Sequence, residues 1–284
     1  MFCKILFFVL EYIYIDIIEV IMMFDFHMHS RLSFDTDANP ENMVKAAEKL
    51  GLKEICFTDH YDHHDNIDEE HDIFTIDDYS QTYDGLCSDT VKIRRGVEMG
   101  LTLWNPSYVE ELLNRRAFDF VIGSVHYAGG YDPYFPQFWE GVDFAAAVDK
   151  YLRTTLECVR CHQNFDVLGH LTYDCKSPNN PTGKAVPYRD VADVADEIMK
   201  CLVAKGKGME INTSGVDSVG DFLPSADYIR RFRELGGEII TIGSDAHNES
   251  RVGQYADEAL AIAREVFGYV CTFEERRPVF HKLK

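Results

Sequence analysis

From Met23 onward, short apolar runs alternate with longer stretches of helical periodicity, the pattern of βα units that feed a largely parallel sheet. The runs that predict strands are Met23 to Phe26, Glu54 to Thr58, Val91 to Val97, Phe118 to Val125, Phe165 to Leu168, Lys207 to Ile211 and Glu238 to Ile242. Helical patterns lie between them. One spans Glu41 to Leu50, opened by Asn39-Pro40 and stopped by Gly51, and another runs from Val148 to His162. A last helix around Asp257 to Val266 precedes a basic tail, Arg276-Arg277, read as closing the barrel. Each strand run ends in a polar residue, at positions 27, 60, 98, 126, 170, 210 and 245, so the ends recur every 28 to 44 residues. That is the length of a strand, a helix and two loops. Barrels of βα units collect functional residues at the carboxyl ends of their strands, whereas an open doubly wound sheet gathers ligands at one switch point. Contributions from all seven ends favour an α/β barrel. No glycine-rich phosphate loop, internal repeat or low-complexity linker marks a second domain.

Composition narrows the function. Hydrophobic residues at 46% and aromatics at 13% of 284 residues are ample for a packed core. Forty-eight acidic against 28 basic side chains give a net charge of −20. Such a surface repels phosphate backbones and anionic membranes, which argues against a nucleic-acid or membrane partner. A phosphorylated small molecule would need metal ions or a few placed cations against that field. The eight cysteines are spread along the chain and read as reduced, cytoplasmic thiols. Cys158-Val-Arg-Cys161-His162 matches the haem-attachment spacing, but it sits on a helical pattern and no export segment accompanies it. Residues 5–24 are nearly all apolar, yet Glu11, Asp16 and Glu19 interrupt them, and neither a membrane span nor a signal peptide fits. Residues 1–22 are read as an atypical leader ahead of a start at Met22 or Met23, with a docking helix as the alternative. Residues 23–284 form the single domain.

Six of eleven histidines, His27, His29, His60, His126, His170 and His247, follow apolar strands, and Glu98 and Asp245 occupy equivalent positions. One histidine after a strand is usually a satisfied buried polar group; six at equivalent positions point to metal. Imidazole suits zinc, iron and manganese, and carboxylates bridge ions and balance their charge. His27 and His29 are two apart on an extended segment and leave the same face. Two or more divalent ions a few ångströms apart generate a nucleophilic hydroxide at neutral pH and clamp phosphoryl oxygens. His63, His64, His71, His162 and His281 are read as loop, helix or tail residues, and Ser124 as a packing or backbone-bonding serine. The acidic loop from Asp62 to Asp78 follows a strand end and is a candidate lid that favours cationic substrates.

These residues resemble the PHP (polymerase and histidinol phosphatase) family of metal-dependent phosphoesterases. The matching pieces are His27-Met28-His29, Thr58-Asp59-His60, Gly96-Val97-Glu98, Gly123-Ser124-Val125-His126, Phe165 to His170, Glu210 to Gly215 and Gly243 to His247. Their wording is most similar to the histidinol-phosphate phosphatase branch. The resemblance implies a distorted (β/α)7, TIM-like barrel with three divalent ions. By matching positions, one ion takes His27, His29, Glu98 and Asp245, and Glu98 bridges to a second held by His126 and His170. The third takes His60, His247 and the residue eight after His27, which here is Asp35 where several relatives have histidine. The implied activity is hydrolysis of a small phosphate monoester, with L-histidinol phosphate and a role in histidine biosynthesis foremost. Asp59, Glu98 and Asp245 are its expected catalytic residues, Asp59 as an acid near the leaving alkoxide or as a carboxylate orienting a ligand histidine. Where relatives use arginines to hold phosphate, this chain offers Lys176, with Arg189 as a possible substitute. Rival readings are another phosphate ester, an amidohydrolase-type metal enzyme and a non-catalytic PHP module.

Overall fold

The computed structural model describes residues 23–63 and 73–284. Eight parallel segments form one curved sheet: β1 (Phe24–Met28), β2 (Glu54–Phe57), β3 (His60–Tyr61), β4 (Lys92–Gly100), β5 (Phe120–Ser124), β6 (Val167–Leu168), β7 (Gly208–Asn212) and β8 (Ile240–Gly243). The first helix, Pro40–Leu50, follows local chemistry. The Asn39 side chain accepts from the backbone of Glu41 and Asn42, Pro40 supplies its fixed φ, and Gly51 ends it with φ of 74°.

β2 and β3 are two pieces of one stave. Glu54 pairs with Lys92 of β4 and His60 pairs with Glu98, the same offset, so Thr58 and Asp59 leave the ladder without shifting it. The sheet therefore has seven staves, as a (β/α)7 barrel requires. It closes between β8 and β1 at the carboxyl ends, where His29 N–H donates to the Ala246 carbonyl at 2.9 Å and Asp245 N–H to that of His27 at 2.8 Å.

Outer helices bury one stripe each. In Phe144–Cys161 that stripe includes Val148, Tyr151, Leu152, Leu156 and Val159, at helical spacing. Each fully buried large side chain contributes about 1.5–3 kcal/mol. Cys158 of the haem-like pattern is buried in this stripe, and the His162 ring donates to the Thr102 carbonyl at 2.7 Å. Those contacts account for the pattern as helix packing. Among the described residues no helix is long and apolar enough to cross a membrane.

The carboxyl-terminal segment departs from the simple tail that the sequence suggested. It is an antiparallel hairpin, β9 (Tyr269–Glu274) and β10 (Arg277–Lys282), that packs across the amino ends of the staves. Phe273 lies 4.8 Å from Phe120 between ring centroids, and Arg276 N–H donates to the Asp119 carbonyl at 2.8 Å. The barrel is thus sealed at its amino end and open at the other.

Candidate metal centre

At the open end the strand termini deliver their side chains to one place. His27 and His29 come from β1 and the turn after it, His60 from β3, Glu98 from β4, His126 and His170 from the segments after β5 and β6, and Asp245 and His247 from the turn after β8. Glu98 is fully buried at the centre. Its Oε2 lies 3.2 Å from His27 Nε2, 3.5 Å from His29 Nε2 and 3.0 Å from His60 Nδ1. Its Oε1 lies 2.8 Å from His170 Nε2 and 3.4 Å from His126 Nε2. Asp245 Oδ1 is 3.2 Å from His29 Nε2, and Asp35 Oδ2 is 2.9 Å from His247 Nε2 and 3.7 Å from His60 Nε2. All nine residues expected as ligands therefore meet.

Close approach here has a backbone cause. A Cβ on Gly243 would stand 2.3 Å from His27 Cβ and 2.2 Å from Glu210 Oε1, so only glycine lets β8 lie against β1 at this level. Asp245 adopts φ of 55°, a left-handed conformation that costs a non-glycine residue about 1 kcal/mol or more. Its N–H bond to His27 holds it there.

The donor set fits divalent cations. Among the described residues, His27 Nε2, His29 Nε2, His60 Nδ1, His247 Nε2 and Glu98 Oε2 are buried with no hydrogen-bond partner of acceptable geometry, although they converge. Such orphaned atoms are costly unless something positive sits between them. Four triads bring one ligand atom each within 4.8 Å: His29, His60 and His247; His27, His29 and Glu98; His27, His170 and Asp245; and His60, Glu98 and His126. Burial and the neighbouring His247 and His60 push the His29 pKa well down, which keeps its lone pair available. Burial alone would raise Glu98, but His27, His60 and His126 outweigh it and hold the carboxyl well below its usual range.

Behind the ligands stands a layer that fixes their tautomers. His27 Nδ1 donates to Glu210 Oε1 at 2.7 Å, and Glu210 Oε2 accepts from the His170 N–H at 2.9 Å. His126 Nδ1 donates to Asp62 Oδ2 at 2.6 Å, and His247 Nδ1 to the Asp245 carbonyl at 2.9 Å. His29 Nδ1 donates to Ser33 Oγ at 3.0 Å, which in turn donates to Asp59 Oδ1 at 3.0 Å. Each engaged Nδ1–H leaves the Nε2 lone pair facing inward. The sequence places Asp62 only in the candidate lid and Glu210 only at a strand end, and gives Ser33 no role. The available signals were Glu210 at its strand end and Asp62 two residues beyond His60 on an extended segment.

Three expectations need correction. Asp59 cannot deliver a proton to a leaving group, because it is fully buried and occupied by Ser30 N–H, Ser33 Oγ and the Tyr83 hydroxyl. It braces His29 through Ser33. Arg189 is no substrate residue here: its side chain is 85% exposed, pairs with Asp190 and borders a different groove. Ser124 is more than a packing serine, since its Oγ donates to Glu98 Oε1 at 2.6 Å. Lys176 does reach the site, with Nζ 2.8 Å from Asp245 Oδ2. His63 stacks on Tyr108 at 3.7 Å instead of joining the ligands. His64, His71 and most of the candidate lid lie outside the described residues, as do residues 1–22.

The ligands floor a cavity of about 650 Å³, whose walls include Lys176, Asp62, Asp132, Tyr134, Phe135 and Tyr173. A barrel of parallel staves with a carboxyl-end histidine and carboxylate cluster defines a metal-dependent hydrolase of the PHP type. The model of the PHP domain matches residues 25–214, and this chain belongs to that family. Among its relatives, a probable histidinol-phosphatase of Clostridium acetobutylicum is 31% identical over 255 residues, covering 90% of this chain and 98% of that protein. A histidinol-phosphatase of Lactococcus lactis is 32% identical over 237 residues, or 80% of this chain and 85% of that one. The crystal structure of histidinol phosphate phosphatase from Lactococcus lactis, complexed with zinc, L-histidinol and phosphate, superposes with a TM-score of 0.81 at 29% identity, covering 90% and 98% of the two chains.

Proposed function

We propose that this protein is a metal-dependent phosphomonoesterase that hydrolyses L-histidinol phosphate to L-histidinol and phosphate, a step of histidine biosynthesis, with residues 23–284 as its single domain. The observation that carries this reading is the convergence of unpartnered nitrogen and oxygen atoms on Glu98, at the floor of a cavity, in a chain so similar to the zinc-, histidinol- and phosphate-bound Lactococcus enzyme. Three divalent ions, manganese, zinc or iron, would be held by His27, His29, Glu98 and Asp245, by Glu98, His126 and His170, and by Asp35, His60 and His247. When bound, such ions supply positive charge against phosphoryl oxygens and acidify water into a nucleophile at neutral pH.

The chain's own residues do the rest. Glu210, Asp62 and Ser33 hold protons on the outer nitrogens of His27, His126 and His29, so that the inner nitrogens present lone pairs at fixed positions. Ser124 fixes the rotation of Glu98, whose two oxygens face different histidines. Lys176 places an ammonium beside Asp245, where it meets the substrate phosphate as a point charge without the fork of an arginine. The seven free cysteines among the described residues suit a reducing, cytoplasmic setting. The test is phosphate release from L-histidinol phosphate and a panel of other monoesters. Strong preference for histidinol phosphate supports the reading; turnover of the other esters alone would overturn the substrate.

A further inference from the structure

The walls of the cavity are chemically divided. The ligand cluster and Lys176 make one part, and the loop after β5 supplies another that is acidic and aromatic. That loop turns sharply at Gly129 and Gly130, both at positive φ, and is pinned where Ala128 N–H donates to the Tyr131 carbonyl at 2.9 Å. It delivers Asp132 to the cavity wall with Tyr134 and Phe135 beside it, their rings 43% and 55% exposed. Asp132 Oδ1 accepts from Tyr134 N–H at 2.7 Å and from the Tyr173 hydroxyl at 3.2 Å. The Tyr173 ring packs in turn on His126 and His170, at 5.2 and 5.1 Å between centroids. One tyrosine therefore separates this carboxylate from the ligand cluster.

Charge compensation singles Asp132 out. The other carboxylates of the cavity have side-chain nitrogen partners: Asp62 has His126, Asp35 has His247, and Asp245 has Lys176 and His29. Asp132 pairs with no lysine or arginine among the described residues; burial raises its pKa, and the two hydrogen bonds and the charge of His126 offset only part. A half-buried carboxylate with that surplus is completed by a cation from the ligand. The adjoining Tyr134 and Phe135 offer ring faces for the same cation and for a flat heterocycle.

We infer that Asp132 is the specificity-determining carboxylate that receives the ammonium group of the substrate, and that it sets a preference for phosphate monoesters carrying an amine a few bonds from phosphorus. The inference deepens the reading given under Proposed function and rests on it. In that arrangement the phosphate lies over the ligand cluster and Lys176, the amine reaches toward Asp132, and the imidazole of histidinol lies along Tyr134 and Phe135.

The experiment compares metal-loaded wild type with Asp132→Asn and Asp132→Glu on two esters, L-histidinol phosphate and amine-free glycerol phosphate. For Asp132→Asn the expected kcat/KM falls at least tenfold more on the amine ester than on glycerol phosphate, mainly through KM, and Asp132→Glu recovers part of that difference. Inhibition by the product L-histidinol should weaken in parallel, while inhibition by inorganic phosphate should not. Equal losses on both esters would mean that Asp132 only braces Tyr134 and Tyr173, and no loss on either would mean that the amine binds elsewhere; each result overturns the inference. Failure of the underlying substrate reading looks different, because wild type itself would then ignore histidinol phosphate. In that event O-phosphoethanolamine against glycerol phosphate decides the role of Asp132 by the same ratio.

Discussion

The two ends of this barrel treat their buried charged groups in opposite ways. At the amino end every buried carboxylate meets a guanidinium or backbone N–H. Arg94 donates from Nε to Glu54 at 2.5 Å and lies 2.7 Å from Glu274, and Arg276 reaches Asp166 at 2.5 Å while Asp166 also accepts from Val121 N–H. At the carboxyl end, six histidines and three carboxylates converge with Lys176 as the one lysine or arginine among the described residues lining their cavity, and six of their atoms have no hydrogen-bond partner. The amino end is neutralised by cations of the chain itself. The carboxyl end waits for cations from outside, and that difference separates a structural end from a reactive one.

His29→Ala should lower kcat/KM at least ~10³-fold with an unchanged circular-dichroism spectrum, since the ring lies between Glu98 and Asp245. Retained activity would remove His29 from the site. Arg94→Met at the opposite end should cost about 3 kcal/mol in urea unfolding, because Glu54 is left buried without its partner. Its turnover below the melting temperature should stay within about twofold of wild type, and a large kinetic loss would dissolve the division between the ends. Glu210→Gln keeps an acceptor near His27 but removes its charge, and metal affinity by titration should weaken about 10–100-fold.

Asp174 tests the smallest effect. It is fully buried in the turn Tyr173–Lys176, neither oxygen has a hydrogen-bond partner among the described residues, and burial pushes its pKa up to about 7 from 3.8. A carboxyl whose folded pKa is raised stabilises the fold below its unfolded pKa and loses that contribution as pH climbs through the folded value. Asp174→Asn should therefore match wild type near pH 4 and exceed it at pH 8 by about 1–2 kcal/mol, less than full linkage because the amide is also unpartnered. Identical pH profiles for the two proteins in chemical denaturation would show that Asp174 is solvated.

How much of this could be read from the chain follows the range of each interaction. Eight of the nine candidate ligands were legible because residue type and position after an apolar run are both local properties, whereas Asp35 was reached only through the family resemblance. The residues that steer them were not, because Glu210 meets His27 across 183 positions and Asp62 meets His126 across 64, pairings that exist only once the staves close. Of the two roles open to Asp59, alternation along an extended segment, which turns it to the opposite side from His60, favours the one that orients a histidine. Arg189 misled because a charge says nothing about which way it points. The terminal hairpin hid for a backbone reason: its turn places Glu275 and Arg276 at φ of 49° and 64°, where Gly or Asn normally advertises a hairpin.

The open end of the barrel becomes a catalyst only when outside cations complete it. The most direct measurement is a metal titration of chelated protein, following bound ions per chain and phosphate release from L-histidinol phosphate together. The metal-free protein should show no turnover, with activity rising as the Glu98 cluster fills toward three ions per chain. Full turnover by protein with no bound metal would contradict this dependence on metal.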